Sequence, residues 1–193
     1  MQNFLALVDR LNASDEAERG RVEAEIWERF GVEQALLALD MSQFSLSVRR
    51  SGILPYLGLI RRMQALTAPI VADHGGIVVK YAADNMLAAF ATVDAAAGAA
   101  LDINRKIKDG GERFAVAMGV DYGRFLLIDG VECYGDTVNV ACKLGEDVAE
   151  SGEVLLTAAA RARLDPAFPH PLRDQVVSIS GLEVHVFVVE AAR

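Results

Sequence analysis

Asp40 and Asp84 are the residues whose type and position first suggest chemistry. Asp40 closes the apolar run QALLALD, and Asp84 lies between the apolar segments IVVKY and MLAAF. A hard divalent cation such as Mg²⁺ takes one or two carboxylates and completes its shell with phosphate and water oxygens. Acids projecting from rigid strand ends into a groove therefore suit a metal–triphosphate site. The pair is 44 residues apart in sequence, a separation that adjacent central strands would close. Taken singly, each Asp reads more readily as a turn or cap residue, a common use of Asp at strand ends, so the surrounding segments must decide. Asn139 and Lys143 fall four apart on a helix expected from Thr137 and so share one face of it.

These residues need elements to hold them. QALLALD has the length and unbroken apolar character of a buried central strand from Gln34 that delivers Asp40 at its end. Leu54 to His74 reads as a long amphipathic helix closed by Gly75 and Gly76. Ile77–Tyr81 and Met86–Phe90 read as a hairpin with Asp84 in its turn, and Asp94–Lys108 as an Ala-rich helix. Phe114–Asp121 and Gly123–Ile128 read as a second hairpin with glycine at the joint. A loop over Gly130–Gly135, the helix from Thr137 and a strand over Glu153–Leu156 follow. The chain closes with a short helix (Ala158–Leu164), a proline-rich loop and two strands. Ahead of all this, Ser14–Phe30 reads as a helix capped by Ser14, with Val22, Ile26 and Trp27 on one face and Gly31 as its stop. The order predicts an N-terminal helical extension over 1–33. Residues 34–193 are predicted to form an α+β sandwich of ferredoxin-like type, a helix layer on a mostly antiparallel sheet.

Composition narrows the function. With 193 residues there is room for one well-packed domain, and 52% hydrophobic residues indicate a folded one. A net charge of −8 argues against nucleic acid as a partner, because holding that backbone needs clustered Lys and Arg. A nucleotide is still compatible, since a bound cation supplies the countercharge. No stretch is long and apolar enough for a membrane span or a signal peptide, and the two cysteines, Cys133 and Cys142, do not make a disulfide framework, so a cytoplasmic protein is expected. His74, His170 and His185 lack metal-ligand spacing with either cysteine and read as structural; no GxxxxGK[ST] phosphate loop is present.

Four segments resemble class III adenylyl and guanylyl cyclase catalytic domains. ALLALDMSQFS is similar to the family's first metal strand, and HGGIVVKYAADNMLAAF to its hairpin with Gly-Gly before the strand and a Lys four residues before the second Asp. YGDTVNVACKL resembles the WGDTVN-A-RL segment, and SGEVLLT the Pro-Gly-Glu-Ile strand; the matches run in family order from Gln34 to Val189. The resemblance implies that Asp40 and Asp84, with the carbonyl of Met41 nearby, hold two Mg²⁺ or Mn²⁺ ions. It also implies that the substrate is ATP or, less favoured, GTP, and that each site is shared across a homodimer. Lys80 and Glu132 match the purine-reading positions, and Phe44 falls in the segment that meets substrate. Asn139 matches the ribose-orienting Asn, and Lys143 takes the place of the Arg that offsets charge on the α-phosphate. Without the family register, Lys80 reads as a solvent-facing strand lysine. Glu132 suits either the adenine amino group or the guanine N1 and N2 donors.

Three positions depart from the pattern. Lys143 keeps the charge of the usual Arg but loses its planar fork. Gln43 and Ala83 replace glycines close to the phosphates, and a non-Gly residue costs about 1 kcal/mol wherever the backbone there takes positive φ. These departures keep a second expectation open, a cyclase homologue that binds nucleotide without turnover and acts as a regulatory dimerisation module. A polymerase or cyclic-dinucleotide synthase is disfavoured, because no GG[DE]EF-type segment is present.

Overall fold

The computed structural model describes residues 1–42, 52–179 and 182–190. Its elements run α1 (Gln2–Ala13), α2 (Glu16–Phe30), β1 (Gly31–Met41), α3 (Ile53–Asp73), β2 (Ile77–Ala82), β3 (Asn85–Phe90), α4 (Val93–Asp109), β4 (Val116–Ile128), β5 (Glu132–Tyr134) and α5 (Asp136–Lys143). A π turn (Leu144–Val148), β6 (Val154–Thr157), α6 (Ala158–Arg161), β7 (Leu172–Ile179) and β8 (Leu182–Val189) complete the order. The strands form one sheet in the order β2-β3-β1-β4-β6-β8-β7, with β5 paired to β4. Every pairing is antiparallel except β4 with β6.

β1 is apolar without alternation from Ala35 to Leu39 because both of its faces are covered. Leu37, Leu39 and Met41 pack with Met63 of α3 and with Ala96 and Ile103 of α4. Leu36 and Ala38 point the opposite way, into a smaller cluster with Val138 and Ala141 of α5. The α+β architecture expected from the sequence is therefore present, with α5 added on the reverse face. The small side chains of α4 let it lie close to the sheet, and Thr92 caps its start by accepting from the Ala95 amide.

Three local expectations need correction. Phe114–Ile128 does not fold back at Gly123. β4 is one strand of 13 residues, paired with β1 from Gly31↔Leu126 to Met41↔Val116. Its glycines serve the approach of α5, since a Cβ on Gly123 would sit 2.5 Å from Thr137 Oγ1 and one on Gly119 would sit 2.5 Å from Ala141 O. The segment expected as a plain loop over Gly130–Gly135 contains β5, which pairs with Leu126, Leu127 and Ile128. Finally, the expected Ser14–Phe30 helix is α2, and its cap is Asp15, which accepts from the Glu18 amide at 2.9 Å. Ser14 instead donates to Arg10 O at 2.7 Å, where α1 ends.

α1 was not expected, although Phe4, Leu7, Val8 and Leu11 carry a helical period. It packs with α2 so that Phe4, Leu7, Val22 and Ile26 enclose Ile128 at the end of β4. Trp27 stays 37% exposed rather than joining this face, and the Arg124 guanidinium lies 4.7 Å above its ring.

Candidate functional site

The sheet order places the two strand-end acids side by side. β1 lies against β3, with Asp40 opposite Asn85, and Asp84 occupies the tight β2–β3 turn immediately before that partner. The Met41 amide donates to Asp84 O at 3.3 Å, which ties the two segments together at the backbone. Burial pushes the Asp40 carboxyl up to about 7, and the negative charges of Asp84, Glu146 and Asp147 push in the same direction. Tyr56 of α3 donates to Asp84 Oδ2 at 3.5 Å. Ala83, just before Asp84, has φ +51°, so the position does require the left-handed backbone that glycine supplies most easily. Phe44 and Gln43 lie outside the described residues.

A second group gathers around β5. Lys80 Nζ donates to Glu132 Oε1 at 2.6 Å, and the same oxygen accepts from the Cys133 amide at 3.0 Å. The bond to Glu132 raises the Lys80 ammonium above its ordinary value. Desolvation works to raise Glu132, yet the hydrogen bonds from Lys80 and from the Cys133 amide leave it below the usual carboxylate range. Both side chains are therefore ionised at neutral pH, one a fixed donor and the other a fixed acceptor. They line a cavity of about 360 Å³ whose wall also includes Tyr134, Asn139, Cys142 and Glu146. Asn139 and Lys143 do lie one turn apart on α5, but only Asn139 reaches this wall. Asp40 and Asp84 do not line it either. A separate cavity of about 370 Å³ opens beside Met41 and Tyr56, next to the acid pair.

Glu146 and Asp147 went unnoticed in the sequence. They sit on the π turn that continues α5, where their charges reach Asp40, and Asn85 Nδ2 holds Glu146 Oε1 at 2.8 Å. An acidic pair just after the YGDTVN segment was the signal available. Among the described residues, no group of three or more His, Cys, Asp or Glu side chains is arranged to hold a metal ion unaided. What the chain offers is a pair of partly buried carboxylates whose mutual repulsion a cation would relieve, which fits a metal that takes its remaining ligands from phosphate and water. The histidines have other partners: His74 pairs with Asp102 at 3.0 Å, His185 with Asp174 at 3.2 Å, and the His170 ring lies tilted against Phe168 with centroids 5.4 Å apart.

No protein-family model matches the chain. An adenylate cyclase of Glutamicibacter nicotianae is 36% identical over 121 residues, a match spanning 62% of this chain and 29% of that protein. The adenylate/guanylate cyclase/hydrolase of Silicibacter pomeroyi superposes with TM-score 0.69 at 28% identity, covering 84% of this chain and 99% of that one. The catalytic core of a rhodopsin-guanylyl cyclase with converted specificity, solved with ATPαS, gives TM-score 0.71 at 18% identity over 83% of this chain and 98% of that one. In fold and in sequence the chain is similar to class III adenylyl/guanylyl cyclase catalytic domains. Its curated relative is named an adenylate cyclase, and the chain spans less than a third of that protein's length. No helix among the described residues is long and apolar enough to cross a membrane.

Proposed function

We propose that the chain is a nucleotide cyclase that converts ATP, in preference to GTP, into the 3′,5′-cyclic monophosphate and pyrophosphate at sites shared between two copies. The observation that carries this reading is the division of the candidate residues. Asp40 and Asp84 adjoin one another at the ends of β1 and the β2–β3 turn, while Lys80, Glu132 and Asn139 line a cavity those acids do not enter. On this reading a single chain carries two half-sites, and a two-fold dimer would set the acid half of one copy against the purine half of the other.

Asp40 and Asp84 would hold Mg²⁺ or Mn²⁺, and the metals when bound supply charge neutralisation on the triphosphate and a lower pKa for the ribose 3′-hydroxyl. Within the purine half, Lys80 donates to a ring acceptor and Glu132 accepts from the exocyclic amine, an arrangement that suits the adenine N1 and N6 pair. Asn139 orients the ribose from the first turns of α5, and Lys143 donates to the α-phosphate as its charge grows. The ribose 3′-hydroxyl loses its proton to solvent water, its oxygen forms the new bond to the α-phosphorus, the bond to the bridging oxygen breaks, and pyrophosphate carries away that bond's electron pair.

Lys143 and the positive φ of Ala83 favour a second reading, a nucleotide-binding homologue without turnover. A product assay separates the two. Purified protein at high concentration with Mn²⁺ is given ATP and GTP in parallel, and the cyclase reading expects cyclic nucleotide that disappears in Asp40→Ala. Nucleotide binding with no product from either substrate would leave the second reading in its place.

A further inference from the structure

β5 forms the wall of the purine cavity, yet it is only three residues long and pairs with β4 at Leu126, Leu127 and Ile128 alone. Such a short strand needs a further brace to hold Glu132 in place. The neighbouring residues point to opposite sides. Leu127 and Cys133 pack into the cluster that contains Val138 and Ala141, whereas Leu126 and Ile128 lie under the α1–α2 pair. Tyr134 joins the second side through a stack on the Phe4 ring, with centroids 5.7 Å apart and planes within 11°. Phe4 is 6% exposed and is itself held edge-on by Phe30 at 5.3 Å.

The connection from Tyr134 onward has no slack. Gly135 follows at once, α5 starts at Asp136, and the Asn139 amide donates to Gly135 O at 3.2 Å. A shift of the Tyr134 ring would carry Glu132 with it on one side and Asn139 on the other. We propose that Phe4 is a positioning residue of the nucleotide cavity, acting through its stack on Tyr134 to hold β5 and thereby the base-reading Glu132 and the ribose-facing Asn139. The proposal rests on the nucleotide reading given above, and α1 becomes part of the binding apparatus rather than an inert extension.

The test compares Phe4→Ala, Phe4→Tyr and Val22→Ala in the full chain. Val22, fully buried in the same α1–α2 cluster, loses packing without removing the ring stack. One readout needs no nucleotide: the rate at which iodoacetamide labels Cys133, which is 4% exposed and lines the cavity, followed by peptide mass spectrometry. An aromatic stack of this kind is worth up to about tenfold in an equilibrium, so Phe4→Ala should label Cys133 about tenfold faster than wild type and raise the KM for ATP by a similar factor with little change in kcat. Phe4→Tyr should restore both, and Val22→Ala should move neither by more than about twofold. Equal effects of Phe4→Ala and Val22→Ala, or unchanged labelling in Phe4→Ala, would overturn the proposal. Faster labelling in Phe4→Ala together with a wild-type chain that binds no nucleotide would remove the nucleotide reading and leave the brace standing.

Discussion

Replacing Asp40 by Asn should make the protein more stable, and by an amount that grows with pH. Asp40 has its folded-state pKa raised from 3.8 to about 7, first by burial and then by Asp84, Glu146 and Asp147. The folded protein therefore binds this proton more tightly than the unfolded chain. The ionised group costs nothing below pH 4, costs progressively more as pH rises, and reaches its full penalty above pH 7. At 1.36 kcal/mol per pH unit the shift corresponds to about 4 kcal/mol, and solvent screening of a partly buried carboxylate reduces that to about 2 kcal/mol. The penalty already present at pH 5 is the smaller part, so the advantage of Asp40→Asn should widen by about 1 kcal/mol between pH 5 and pH 8, or about 2–4 °C in Tm for a chain of this size. Urea and thermal unfolding of both proteins at the two pH values give the comparison directly. Mn²⁺ added at pH 8 should stabilise the wild type and leave Asp40→Asn unmoved, because the cation relieves a repulsion that the variant lacks. An advantage that is the same at pH 5 and pH 8, or a variant less stable than wild type at pH 8, would refute the electrostatic account of the acid pair.

Other substitutions probe the remaining parts of the site. Ala83→Gly relieves a left-handed backbone and should stabilise the fold by about 0.5–1 kcal/mol in urea titrations; a loss of stability would show that the turn tolerates its Cβ without strain. Lys143→Arg restores a planar fork and should raise kcat by about tenfold with KM little changed, whereas an unaltered kcat would remove Lys143 from the slow step. Lys80→Ala strips Glu132 of its ion-pair partner and should weaken ATP binding by about tenfold in titrations with a non-cyclisable analogue, with an undiminished affinity counting against base reading by this pair.

Much of this architecture could be read from the residue pattern where a single interaction dominates. The apolar run before Asp40, the hairpin around Asp84 and the helix that carries Asn139 and Lys143 are local signals, and each element stands where its own residues indicated. Gly123 misled because glycine marks either a turn or a close approach, and only the position of Thr137 on α5 distinguishes the two. β5 was invisible for a related reason: three residues carry no period, and their pairing is dictated by β4. α1 had a legible period in Phe4, Leu7, Val8 and Leu11, but its partner Ile128 lies at the far end of the sheet and nothing local announces it. The ion pair between Lys80 and Glu132 joins residues 52 apart, so the motifs placed both in one half-site without revealing that they bond to each other.

On the proposed reading, two copies of the chain build each site from complementary halves. Asp40→Ala removes one half and Asn139→Ala the other, so each variant alone should yield no cyclic nucleotide. Mixed in equal amounts and allowed to exchange subunits, they form heterodimers in which one of the two sites is intact, and about a quarter of wild-type activity should return. A mixture as silent as its components, while the wild type produces cyclic nucleotide under the same conditions, would contradict the shared-site account.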